Sequence, residues 1–214
     1  MRLVTFGDSW PCGAELAPWE KPYGKLLSEK YNLEYINMAQ NATSIDNMIL
    51  QLDQYLKLKH QKDLSTTALF FITSYTRAMF WYNGQPIRVY PYGPACSSEE
   101  HKHIATHYYH IHSDELDQHR ANVSILSLQK MCSEFNIADY YFIGWIKPNF
   151  NYSGINLDKI YGRGLISAAD WLGADDSSEF TLNKKNIYVY PNCDHPNQLG
   201  HQLIADKINE WIKF

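Results

Sequence analysis

The sequence predicts an α/β protein, folded as a three-layer α/β/α sandwich around a mostly parallel sheet of five strands. Short apolar runs alternate with amphipathic stretches along the chain, which is the pattern of strands followed by covering helices. The length of 214 residues fits a single domain, 1–214, that can bury a full core without metals or disulfides.

Each strand is predicted from a short run of apolar residues. The first run stops at Gly7-Asp8-Ser9, where a glycine lets the chain turn sharply. Ser9 is therefore expected where a parallel sheet presents its ligands, at the carboxyl ends of the strands. The predicted strands cover residues 3–6, 33–37, 68–73, 140–143 and 187–190.

The helices are predicted from apolar residues that repeat on one face, at residues 23–31, 45–59, 115–135 and 198–212. The last has the clearest boundary, because Pro196-Asn197 can open it. Two segments interrupt the alternation, at about 80–113 and 147–185, and we expect them to be long loops that wall a substrate cleft.

Composition excludes several classes of function. The net charge of -4 and the scattered Lys and Arg residues predict no nucleic-acid partner. No apolar run is long enough for a membrane span and no signal peptide is recognisable, so a cytoplasmic or virion-associated protein is expected. The 16 tyrosines suit either half-buried packing positions or a surface that stacks on sugar rings.

A serine after the first strand and a histidine before the last helix are the parts of a nucleophile–base pair. Ser9 fills the first position, and His195 fills the second. The alternative interpretations are structural: Ser9 caps the following turn, and His195 is a loop histidine bonded to backbone. His201 is expected to cap or pack at the start of the last helix.

Three sequence blocks resemble the GDSL or SGNH hydrolases, a superfamily of serine esterases and lipases with a flavodoxin-like three-layer fold. The first is Phe6-Gly7-Asp8-Ser9, the second runs from Asn37 to Ser44, and the third begins His195-Pro196-Asn197 and ends Gly200-His201. The resemblance implies that Ser9 is the nucleophile, that its backbone N–H belongs to the oxyanion hole, and that His195 is the base. It also implies acyl transfer without a cofactor, on a small-molecule or carbohydrate ester.

The chain departs from the family pattern in three places. The glycine of the second block, an oxyanion donor, aligns with Asn41, whose backbone N–H can still donate. The third block lacks its usual asparagine, so the hydroxyls of Ser74 or Thr76 are candidate replacements, and Arg77 is a candidate for substrate contact or for a surface ion pair.

The third departure concerns the acid that orients His195. The family places an aspartate two or three residues earlier, but those positions hold Cys193 and Asn192, and the aspartate is adjacent, at Asp194. We predict Asp194 as the orienting group, with Asn192 as a neutral alternative and a backbone carbonyl as a third.

Two functional hypotheses follow. The first is a serine esterase that acts on small acyl esters, with O-acetyl groups on carbohydrate as the preferred substrate. The second is a non-catalytic binding or structural module, for example of a phage particle. His103, His107 and His110 share one face if their segment is helical, but no third ligand pattern accompanies them, and we predict no metal site.

Overall fold

The computed structural model describes residues 1–58, 64–89, 99–172 and 195–212. Six strands are formed by Arg2–Phe6 (β1), Glu34–Asn37 (β2), Thr66–Ile72 (β3), Ala78–Tyr82 (β4), Gln85–Val89 (β5) and Ala138–Ile143 (β6). Seven α-helices are formed by Ser9–Cys12 (α1), Tyr23–Lys30 (α2), Ile45–Leu58 (α3), Glu99–Ile111 (α4), Asp114–Glu134 (α5), Ala168–Trp171 (α6) and Gln198–Trp211 (α7).

The central sheet is parallel and has the order β2-β1-β3-β6. The fold class predicted from the sequence is confirmed, with four strands rather than five in the described part of the chain. The predicted fifth strand, 187–190, lies outside the described residues. Because the strands are parallel, Ser9, the segment after β3 and the segment after β6 all leave the sheet at the same edge.

Alternate side chains of each strand enter two separate hydrophobic cores. Val4 and Phe70 face helices α3 and α5, whereas Leu3 and Phe71 face α2, α6 and α7. β1 and β3 are buried along their whole length, as expected of strands covered on both faces. Helices therefore cover the sheet on both sides.

The expectation of a long loop at 80–113 is wrong for the described part of that segment. It contains the antiparallel hairpin β4–β5 and the 13-residue helix α4. Both residues of the hairpin turn, Asn83 and Gly84, have positive φ, which Asn-Gly adopts readily. Tyr108 and Ala105 of α4 pack on Ile87 of the hairpin. The hairpin and α4, together called the insertion below, therefore have a small core of their own.

The second predicted loop, 147–185, is described as far as residue 172. It carries two short 3-10 turns, Leu157–Lys159 and Tyr161–Gly164, followed by α6. Within the ranges given above, none of the helices combines the length and the apolar character needed to cross a membrane.

Candidate active site

The turn that presents Ser9 requires glycine at position 7. Gly7 has φ +136°, and a Cβ there would lie 2.9 Å from the Phe71 carbonyl oxygen and 2.9 Å from Pro11. Asp8 then caps α1, since its Oδ1 accepts a hydrogen bond from the Trp10 amide at 3.1 Å. Ser9 is thereby the first residue of α1, beside the carboxyl edge of the sheet.

A buried glutamine holds this turn in place. The Gly7 amide donates to Gln51 Oε1 at 3.0 Å, and Gln51 Nε2 donates to the Gly7 carbonyl at 3.0 Å. Gln51 Nε2 also donates to Thr43 Oγ1 at 3.1 Å, and the Thr43 hydroxyl donates to the Gln40 carbonyl. The first and second sequence blocks are thus joined through one side chain of α3.

The Ser9 side chain is half-buried, and its hydroxyl makes no hydrogen bond with any described residue. Its carbonyl accepts from the Ala14 amide at 2.9 Å, so the chain after α1 folds back against Ser9. A hydroxyl at a helix start that makes no hydrogen bond within the described part of the chain is a candidate to meet a base or a substrate.

His195 lies before α7, which Asn197 caps by accepting from the Leu199 and Gly200 amides. Its Nδ1 lies 3.5 Å from Oε1 of Glu15, three residues beyond the end of α1. The structure therefore places His195 against the turn that follows Ser9, but no hydrogen bond joins His195 to the Ser9 hydroxyl. Asp194 and Asn192, the predicted orienting residues, lie outside the described residues.

His201 packs at the start of α7, as the sequence predicts. It is 1% exposed, and its Nδ1 accepts from the Tyr23 amide at 3.3 Å. Burial, with a contribution from nearby His195, lowers the pKa of His201 to about 3. The neutral ring in this position links α7 to α2.

Arg77 does form an ion pair, but its partner is the buried carboxylate of Asp8 rather than a group at the surface. Its NH1 donates to Asp8 Oδ2 at 2.7 Å and to Thr73 Oγ1 at 2.7 Å. The Thr73 hydroxyl donates to the same Asp8 oxygen at 2.8 Å, and Asp8 is fully buried. The prediction missed this pair because Asp8 belongs to the first block and Arg77 to the third, and only the fold brings them together.

The predicted oxyanion donors differ in their surroundings. The Ser74 and Thr76 hydroxyls lie 2.8 Å apart and hydrogen-bond each other, and Ser74 is buried. Asn41 is exposed on the turn of the second block. The conformation that favours glycine falls one residue later, at Ala42, with φ 61°. Ala42 is thus a further candidate for the glycine position of that block.

Side chains of α4 and α5 hydrogen-bond to the backbone of the segment after β3, which carries the Ser74 and Thr76 hydroxyls. The Tyr108 hydroxyl lies 2.9 Å from the Thr76 carbonyl and 2.8 Å from Oδ1 of buried Asp117. Arg120 NH2 donates to the Arg77 carbonyl at 2.8 Å. Burial and the neighbouring Asp117 raise the pKa of Tyr108, so its hydroxyl stays protonated as a donor.

A polar cavity of about 400 Å³ opens at the same edge, between the start of α5 and residues 149–152. Gln118 and Asn122 fix its wall, since Gln118 Oε1 accepts from the Asn149 amide at 2.7 Å and Asn122 Nδ2 donates to the Asn149 carbonyl. The side-chain amides of Asn149 and Asn151 make no hydrogen bond with any described residue. The other lining residues are Asp114, Glu115, His119 and Tyr152.

No group of three His, Cys, Asp or Glu side chains that could hold a metal ion converges within the described ranges. His103, His107 and His110 do lie on a helix, α4, where their side chains are exposed.

Comparisons with solved structures give several matches over nearly the whole chain, all at low sequence identity. A G-D-S-L family lipolytic protein from Desulfitobacterium hafniense has a TM-score of 0.56 at 9% identity, with 99% of each chain covered. A member of that family from Veillonella parvula has a TM-score of 0.52 at 13% identity, covering 98% of this chain and 97% of that one.

The acetylxylan esterase Axe2 from Geobacillus stearothermophilus, solved as a catalytic mutant, has a TM-score of 0.51 at 13% identity, covering 100% of this chain and 94% of that one. No protein-family model matches the sequence, and no curated protein matches it. The shared architecture and the three sequence blocks together give the chain the fold of the GDSL/SGNH hydrolases.

Proposed function

We propose that this protein is a serine esterase that hydrolyses small acyl esters, with O-acetyl groups on carbohydrate as the preferred substrates. The observation that carries the proposal is the position of Ser9, whose hydroxyl lies at a helix start beside the carboxyl edge of the sheet, with His195 against the turn that follows. The fold supports this assignment, since it is shared with lipolytic proteins and an acetylxylan esterase.

In the proposed reaction the Ser9 oxygen attacks the ester carbonyl while its proton moves to Nε2 of His195. His195 returns this proton to the departing alcohol oxygen, which leaves an acyl-enzyme on Ser9. Water, deprotonated by His195, then releases the acid. The backbone N–H of Ser9 and that of Asn41 or Ala42 are the proposed oxyanion donors, with the Ser74 hydroxyl as a third.

The preference for carbohydrate over lipid rests on the polar cavity beside the strand ends. Its lining consists of amides, carboxylates, a histidine and a tyrosine, which suit hydroxyl groups rather than an acyl chain. The cavity lies beyond the end of β6, two strands away from β1 in the sheet, and both strands end at the same edge. A sugar chain whose acetyl group reached Ser9 would extend into it.

The test is hydrolysis of p-nitrophenyl acetate and of acetylated xylooligosaccharides by purified protein, together with labelling by a fluorophosphonate. We expect turnover and one adduct on Ser9, with Ser9→Ala losing the adduct and at least about 10³-fold in kcat. Ser44→Ala is a control in a neighbouring block. Equal inactivity of wild type and Ser9→Ala, with no adduct, would contradict the esterase assignment.

A second candidate function is a non-catalytic binding module with the same fold. Two observations favour it. Ser9 and His195 are not hydrogen-bonded to each other, and Arg77 forms an ion pair with buried Asp8. This candidate predicts binding of acetylated xylooligosaccharides with no release of acetate. The same assay separates the two functions.

A further inference from the structure

We propose that Glu15 is the carboxylate that positions His195, so that nucleophile and orienting acid both come from the single turn formed by residues 9–15. This inference rests on the proposed function, since it completes a Ser9–His195–Glu15 set. It places the acid far from the positions that precede His195 in the sequence, where Asp194 and Asn192 were the candidates.

The contact itself is direct. Oε1 of Glu15 lies 3.5 Å from Nδ1 of His195, with the imidazole about one quarter exposed at 24% and the carboxylate at 45%. Nδ1 is the nitrogen that an orienting carboxylate engages when Nε2 serves as the base. The described residues thus supply the geometry of an acid–base pair from opposite ends of the chain.

The backbone brings Glu15 close to Ser9 as well. Gly13 follows the end of α1 with φ 78°, and the next amide, that of Ala14, donates to the Ser9 carbonyl at 2.9 Å. Glu15 follows immediately and adopts φ 64°, a left-handed conformation that is unfavourable for a residue with a Cβ. Such conformations persist where the surroundings impose them and are frequent at functional sites.

Two hydrogen bonds join the segment that carries Glu15 to the segment that carries His195. The Lys21 amide donates to Gln198 Oε1 at 2.7 Å, and Gln198 Nε2 donates back to the Lys21 carbonyl at 3.3 Å. Within the first segment, the Ala17 amide donates to Glu20 Oε2 at 2.8 Å. The approach of Glu15 to His195 is therefore supported by contacts on both sides of it.

The chemistry requires no proton transfer to Glu15. With the Nδ1 proton directed at the carboxylate, Nε2 presents its lone pair and can take the Ser9 proton as the Oγ–carbonyl bond forms. The resulting imidazolium is stabilised by the carboxylate, and it gives the Nε2 proton to the leaving alcohol oxygen. Because both groups are partly exposed, we expect a smaller kinetic effect than that of a buried aspartate.

The first experiment compares kcat and KM for p-nitrophenyl acetate among four variants. We expect Glu15→Gln to lower kcat by about 10- to 100-fold with KM nearly unchanged, and Glu15→Asp to retain more activity than Glu15→Gln. Glu134→Gln makes the same charge change at the exposed end of α5, away from residues 9–21, and is expected to match wild type. If Asp194→Asn lowers kcat while Glu15→Gln does not, the proposal is overturned.

The second experiment reads the ring directly and does not depend on turnover. Long-range proton–nitrogen NMR spectra assign the tautomer of His195, which we expect to carry its proton on Nδ1 in wild type and to lose that preference in Glu15→Ala. Circular dichroism verifies that the variant is folded. An unchanged tautomer in Glu15→Ala overturns the role of Glu15, and an inactive wild type that shows the expected tautomer change overturns only the esterase assignment.

Discussion

At the scale of single residues, the ion pair between Asp8 and Arg77 joins the first and third sequence blocks at the candidate site. Asp8 is fully buried, and its Oδ2 accepts from both Arg77 and Thr73. A buried carboxylate needs such partners, because an uncompensated charge in the interior is costly. Arg77 thus stabilises the residue that caps α1.

We predict that Arg77→Met destabilises the protein by about 3–5 kcal/mol, because it leaves the Asp8 charge buried without its partner. The measurement is urea unfolding. In an Asp8→Asn background the same substitution should cost much less, since no charge remains to compensate. Equal costs in the two backgrounds would show that the pair is not coupled.

At the scale of secondary structure, the strands and helices with strong periodicity were predictable to within about two residues. β1, β2, β3 and β6 have apolar runs, and α2, α3, α5 and α7 have an apolar face. The hairpin and α4 were missed because their apolar residues pack against each other in a small local core, although Asn83-Gly84 is a hairpin signal that was available.

The insertion contributes to the site through Tyr108 of α4, which reaches Thr76 and Asp117. We predict that Tyr108→Phe lowers the free energy of unfolding by about 1–3 kcal/mol, because buried Asp117 and the Thr76 carbonyl lose a partner. Denaturant unfolding measures the effect. Tyr109→Phe is the matched control, since Tyr109 is exposed on the same helix and its loss should change little.

At the scale of the whole molecule, the sequence blocks predicted the fold and nominated Ser9 and His195. They did not reveal the contacts Arg77–Asp8 and His195–Glu15. Each of these contacts joins two segments that are remote in the sequence, and their approach depends on how helices dock on the sheet. No local pattern of residue types encodes such docking.

The neutral, buried state of His201 makes the stability of the whole fold depend on pH. Its pKa is about 3 when folded and about 6.5 when unfolded, so below about pH 6.5 the unfolded state binds a proton that the folded state does not. The contribution of His201 to the free energy of unfolding is therefore fully present above that pH and is lost as the pH drops toward 3. Between about pH 6.5 and pH 5 we expect a loss of about 2 kcal/mol.

Urea unfolding at several pH values measures this loss. His201→Gln keeps an acceptor for the Tyr23 amide but cannot titrate, so its stability should depend less steeply on pH in that window. Parallel slopes for wild type and the variant would rule out His201 as the source.

The two hydrogen bonds between Lys21 and Gln198 bear on the order in which the parts of the candidate site assemble during folding. They join residues 177 positions apart, so His195 meets the turn of residues 9–15 only after nearly all of the intervening chain has been made and folded. On the ribosome, Ser9 would emerge early and stay inert until α7 docks. If Ser9 and His195 act as proposed, detachment of α7 would abolish hydrolysis while the sheet stayed intact, and activity would report on a local opening before global unfolding.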